Sequence, residues 1–154
     1  MGQKGVKTMF RGQFRHNLDD KGRLILPAKF REKIGNNAVI TIGFEKCITI
    51  YPEQEWEKLQ KSLLSMPVAN KMVRSLSRTI NGNASDCEID GHGRVKIPNY
   101  LIANANISKE CVIVGVNATI EIWDATTWEQ IENEGKESFE ENAEKLSSFL
   151  LGIE

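Results

Sequence analysis

From Phe10 to Leu18 the chain alternates. Phe10, Gly12, Phe14, His16 and Leu18 fall on one side, and Arg11, Gln13, Arg15 and Asn17 on the other. A period of two with one mostly apolar and one polar, basic face predicts a half-buried strand. Asp19 to Gly22 then reads as a tight turn, because Gly22 sits where such a turn needs positive φ and the Asp19 carboxylate can accept the turn amides. A second strand follows from Arg23. Pro27 opens a short helix that Gly35 closes, with Phe30 and Ile34 facing inward. The runs Val39 to Phe44 and Ile48 to Tyr51 predict a hairpin, and Pro52 starts a helix carrying Trp56, Leu59 and Leu63 on one face. Beyond Met66-Pro67 a further helix is expected from Val68 to about Ile80. There Val68, Met72, Leu76 and Ile80 form an apolar stripe and Lys71, Arg74 and Arg78 a basic one, which in its plainest reading is a solvated face. A C-terminal helix sets Phe139, Ala143, Leu146 and Leu150 against Glu137, Glu140, Glu141 and Glu144, a pattern for packing on a neighbour.

The same succession occurs twice. Leu18-Asp19-Asp20-Lys21-Gly22-Arg23-Leu24-Ile25-Leu26-Pro27 matches Ile89-Asp90-Gly91-His92-Gly93-Arg94-Val95-Lys96-Ile97-Pro98 at an offset of 71 residues. Ile42-Gly43-Phe44, Ile48 to Tyr51 and Trp56 match Val114-Gly115-Val116, Ile120 to Trp123 and Trp128 at an offset of 72, so one residue is inserted between the blocks. In the second copy Asp124, a good N-cap residue, replaces Pro52. The organisation expected is an extension, residues 1–8, a first repeat, residues 9–80, and a second repeat with an acidic C-terminal helix, residues 81–154. Each half, at roughly 70 residues, has little core of its own. The fold expected is therefore α+β, mainly β, with matching strands of the two halves paired into one pseudo-twofold β-barrel flanked by helices.

Charge changes the picture although its sum is only −1. Residues 1–35 hold nine Lys/Arg against three Asp/Glu, while residues 124–154 hold two against nine. The basic segment suits a polyanion; the acidic tail suits solubility, assembly, or repulsion of that polyanion from the wrong face. Nothing in the sequence reads as a secretion signal or a membrane span, so a cytoplasmic protein is expected. Cys47, Cys87 and Cys111 are widely spaced among apolar residues and read as buried reduced thiols. With no close Cys-x-x-Cys or His pair, no metal or other cofactor is expected.

The duplicated Asp-x-x-x-Arg segments, Asp19 to Arg23 and Asp90 to Arg94, each followed by an apolar residue, a two-residue interval and Pro, resemble the signature of the MraZ family. Met9-Phe10-Arg11-Gly12 resembles the usual start of that family, and the likeness runs from Met9 to the C-terminal helix. It implies an AbrB-like, SpoVT-AbrB-type swapped-hairpin barrel built from two modules in one chain, and a ring-like homo-oligomer. It also implies a transcriptional regulator, associated with the nucleoid, that binds short direct repeats of double-stranded DNA upstream of the division and cell-wall gene cluster. No catalytic activity and no small-molecule substrate come with the resemblance.

Arg23 and Arg94 each follow a glycine turn, from which a guanidinium can read guanine or clamp phosphate. The same arginines could instead form local ion pairs that brace the turns, Asp19 to Arg23 and Asp90 to Arg94. The resemblance favours DNA contact at Arg23, with Lys21, Arg15 and Arg11 around it. Asp19, Gly22, Asp90 and Gly93 are expected to structure the turns. Arg94 is expected to contribute less, because the second copy has Gly82, Asp86 and Glu88 where the first has Arg11, Arg15 and Asn17, and His92 in place of Lys21. An enzyme finds little support: there is no phosphate loop and no Gly-x-Ser-x-Gly, and the Asp90 and His92 pair has Asp19 and Lys21 as its counterpart. An antitoxin-like protein-binding module and a non-specific nucleoid-coating protein stay open as alternatives, the acidic helix being the feature that favours the first.

Overall fold

The computed structural model describes residues 9–152, so the extension at residues 1–8 lies outside the described residues. The chain divides after Asp124 into two compact units. The first contains eight strands and four helices among the described residues: β1 (Gln13–Asn17), β2 (Arg23–Ile25), α1 (Ala28–Ile34), β3 (Val39–Ile42), β4 (Ile48–Tyr51), α2 (Glu53–Leu64), α3 (Lys71–Gly82), β5 (Ser85–Asp86), β6 (Arg94–Lys96), α4 (Asn99–Asn104), β7 (Glu110–Val116) and β8 (Thr119–Asp124). The second unit consists of α5 (Ala125–Glu137) and α6 (Phe139–Leu151). No helix among the described residues is long and apolar enough to cross a membrane.

Sequence repetition becomes spatial symmetry. The six-stranded sheet has the order β1-β7-β8-β4-β3-β5, which reads the same when each strand is exchanged for its counterpart in the other repeat. Each repeat lends its first strand to the other: β1 pairs with β7, and β5 with β3. At the centre β4 meets β8 antiparallel, with Thr49 opposite Glu121, its own equivalent. Strands β2 and β6 form a separate ribbon in which Leu24 faces Val95, again equivalents. Both pseudo-twofold crossings therefore fall on pairs that the sequence alignment had already matched.

The expected closed barrel is corrected in one respect. The sheet is open, with β1 and β5 as its edges, and the ribbon is a separate two-stranded sheet. Strands of two or three residues, as in β2, β5 and β6, are too short to supply the stagger that hydrogen-bonded closure requires. The ribbon, the helices and the sheet instead share one core. Leu24, Leu26, Val95 and Ile97 from the ribbon, Phe30 and Ile34 from α1, Leu101 from α4, and Ile40, Ile50, Ile113 and Ile122 from the sheet belong to one buried cluster. Neither repeat could bury these residues alone. Phe30 is gripped edge-on by Phe10 and Phe14, with ring centroids 5.5 Å and 5.2 Å away.

Two helical expectations also change. Helix α3 starts at Lys71, three residues late, because the Asn70 side chain accepts the amides of Met72 and Val73 and so caps it there. Its buried residues are Val73 and Ile80, while Val68 and Met72 of the expected apolar stripe are exposed. In β1, His16 is exposed although it shares a side with the buried Phe10 and Leu18, since the strand lies at a sheet edge. In the second unit, Ser138 still donates to the Glu134 carbonyl at 3.0 Å, so α5 and α6 are separated by little more than a break in regularity. No residue of α6 is buried.

Candidate nucleic-acid interface

The ribbon concentrates the residues that the sequence singled out. Leu24 and Val95 point into the core, so the alternate positions, Arg23 and Ile25 on β2 and Arg94 and Lys96 on β6, lie on the outer face. Each arginine leaves a turn that its aspartate organises. Asp19 accepts the amide of Lys21 at 2.9 Å and that of Arg23 at 2.8 Å through Oδ1, while its Oδ2 accepts Arg23 Nε at 2.8 Å. Asp90 repeats the arrangement with the amides of His92 at 2.8 Å and Arg94 at 3.1 Å, and with Arg94 Nε at 2.8 Å. Gly22 and Gly93 stand at φ of 76° and 79°, where a Cβ would strain the backbone. The Arg23 amide, ahead of its guanidinium, lowers the carboxyl of Asp19 below its ordinary range. At Asp90 the Arg94 amide leads in bringing the value down from 3.8 to about 2.

The ion-pair brace is thus present in both copies. It engages each guanidinium only through Nε, and among the described residues neither Arg23 nor Arg94 has a protein acceptor bonded at its terminal nitrogens. The aspartate fixes the direction of the side chain and leaves its two-nitrogen edge for an external oxygen pair, the geometry in which arginine recognises phosphate or guanine.

The two ends of the ribbon differ. Arg23 lies directly opposite Lys96, whereas Arg94 lies opposite Ile25. Lys96 Nζ donates to the Lys21 carbonyl, so the first turn gathers Lys21, Arg23 and Lys96. At the second turn, Gly93 leaves room for the Arg31 guanidinium, which a Cβ there would overlap, while at the first turn a Cβ on Gly22 would stand 3.3 Å from the Ile97 carbonyl oxygen and 3.5 Å from Ile102 Cδ1. A hollow of about 270 Å³ is lined by Arg23, Arg94 and Lys96 together with Glu88, Ile89 and Asp90.

Arg11 and Arg15 lie elsewhere, before and within β1, and both are exposed. Arg15 Nη1 meets Glu110 Oε2 of β7 at 3.2 Å. Lys96 and Arg31 were missed by sequence reasoning. The signal for Lys96 was a lysine where the other repeat has Ile25; its position across from Arg23 follows only from pairing between repeats. Cys47 and Cys111 are buried, Cys87 is half-buried, and burial pushes all three thiols up to about 12, leaving them unionised at neutral pH.

The chain matches one family model twice, over residues 9–79 and 80–150; the family is described as "MraZ protein, putative antitoxin-like". It is 39% identical over 142 residues to a protein of Desulforamulus reducens named transcriptional regulator MraZ, covering 92% of this chain and all of that one. A protein of Ligilactobacillus salivarius with the same name is 42% identical over 143 residues, covering 93% of this chain and all of its own length. Two tandem matches and full-length relatives at this identity establish that the chain belongs to the MraZ family.

Proposed function

We propose that this protein is a transcriptional regulator, as its relatives are named, that it binds DNA sequence-specifically, and that the β2–β6 ribbon is its DNA-contacting face. The observation that carries this reading is the placement of Arg23 directly opposite Lys96, one cation from each repeat. Like charges facing each other across an antiparallel pair destabilise it, and a bound phosphate relieves that repulsion. A two-stranded ribbon also has dimensions that the major groove admits. The first end of the ribbon, with Arg23, Lys21 and Lys96, leads the contact. Arg94 contributes less beside the uncharged Ile25, and Arg11 and Arg15 add sequence-independent attraction from β1.

The target is a set of short direct repeats in the promoter of the division and cell-wall gene cluster, engaged by a ring-like homo-oligomer of swapped-hairpin modules in the cytoplasm, at the nucleoid. One ribbon offers few phosphate contacts, so affinity at physiological salt depends on several subunits meeting adjacent repeats, which multiplies it by about 10² to 10⁴. The role is binding, not catalysis.

Fluorescence anisotropy on a labelled duplex from upstream of the protein's own gene, against a scrambled duplex over a salt series, tests the reading. Repeat-dependent binding, lost in Arg23→Ala and weakened less by Arg94→Ala, is expected. Equal and steeply salt-sensitive binding to both duplexes would instead indicate a nucleoid-coating protein, and no binding to either would direct attention to a protein partner.

A further inference from the structure

Helices α2 and α3 and the turn between them enclose an apolar groove of about 340 Å³ at the surface of the first unit, lined by Leu64, Met66, Val68 and Val73, with Arg74 and Arg78 along one side. Leu64 is 80% exposed and Val68 74%, so the groove presents apolar side chains at the surface. Arg74 Nη1 donates to the carbonyls of Val68 and Ala69, both at 2.9 Å, which holds the turn in shape. In the groove wall, the Gln60 Nε2 atom is buried and has no hydrogen-bond partner among the described residues. A pre-shaped apolar trough with a cationic flank suits an amphipathic helix with an anionic flank.

Such a helix is present in the same sequence. On α6, Phe139, Leu146 and Leu150 share one face, and each is more than half exposed. At 3.6 residues per turn, Glu140 and Glu144 run together along one flank of that face. A short helix with a fully exposed apolar face draws its stability from what covers that face. The groove and the helix are complementary in both apolar character and charge.

We propose that α6 of one copy docks in the α2–α3 groove of a second copy, with Glu140 and Glu144 along the Arg74 and Arg78 side. The contact joins two different surfaces, so it propagates from subunit to subunit and closes into a ring when the rotation between neighbours allows. It rests on the self-assembly part of the proposed function and supplies the surfaces for it.

Two exposed positions separate the halves of the contact: Leu64→Asp spoils the groove and Leu150→Asp spoils the helix. With unfolding unchanged, each variant alone is expected to be monomeric in sedimentation velocity at concentrations roughly tenfold above those at which wild type assembles. Mixed in equal amounts, the two should form a two-chain complex that grows no further, because one groove and one helix remain intact. Wild-type-like assembly of Leu64→Asp, or a mixture that stays monomeric, would overturn the docking proposal while leaving self-assembly standing. Wild type that is itself monomeric at high concentration would overturn both.

Discussion

Asp19 and Asp90 each take two backbone amides and one guanidinium, and that arrangement ties the turns to acid stability. Asp90 is the better case to test, since its folded value is about 2 against an ordinary 3.8. A lowered carboxylate contributes stability that is fully present above the unfolded value and lost as pH falls through the folded one, here between about pH 4 and pH 2. Urea unfolding over that range should therefore fall less steeply with pH in Asp90→Asn than in wild type, with the variant already weaker at neutral pH; parallel curves would refute the assignment. The roles of Asp, Gly and Arg in these turns were legible in the sequence because five adjacent residues determine them. The partnership of Arg23 with Lys96 was not, since it joins residues far apart in sequence through a register that local pattern does not encode. Arg31 beneath Gly93 was hidden for the same reason.

At the scale of elements, the period-two and helical patterns located the strands and helices, and the misreadings concern what each element packs against. The stripe chosen for α3 followed spacing alone, but the helix buries Val73 and Ile80 and is anchored where Thr41 Oγ1 donates to the Ile80 carbonyl at 2.8 Å. A repeated glycine illustrates the point further. Gly43 and Gly115 align, yet a Cβ on Gly43 would meet side-chain atoms of Cys47 and Thr49, whereas on Gly115 it would run into the backbone at Arg11 N and Phe10 C. Gly115→Ala must push the backbone away and loosen both the 2.7 Å bond from Phe10 N to Asn117 O and the packing of Phe10 on Phe30. We expect it to cost about 1–3 kcal/mol in chemical denaturation; a loss of only a few tenths would mean that the segment before β1 moves freely.

For the whole molecule, the internal repeat was the most informative feature of the sequence. It anticipated a shared core and the pairing of equivalent strands, and both crossings, Leu24 with Val95 and Thr49 with Glu121, follow from it. What it could not give was the open sheet, because strand length at the edges, two residues in β5 against five in β1, is where the copies diverge. Divergence also sets function in this account: symmetry builds the ribbon, and the replacement of Ile25 by Lys96 at the equivalent position makes its first end the more cationic. The most direct test is Lys96→Glu, a change at an exposed position on the outer face, measured for affinity to the proposed promoter repeats at physiological salt and for thermal unfolding. Affinity is expected to fall by tenfold or more, about 1.4 kcal/mol or greater, with unfolding close to wild type. Undiminished affinity in a folded Lys96→Glu protein would contradict the claim that this ribbon meets DNA.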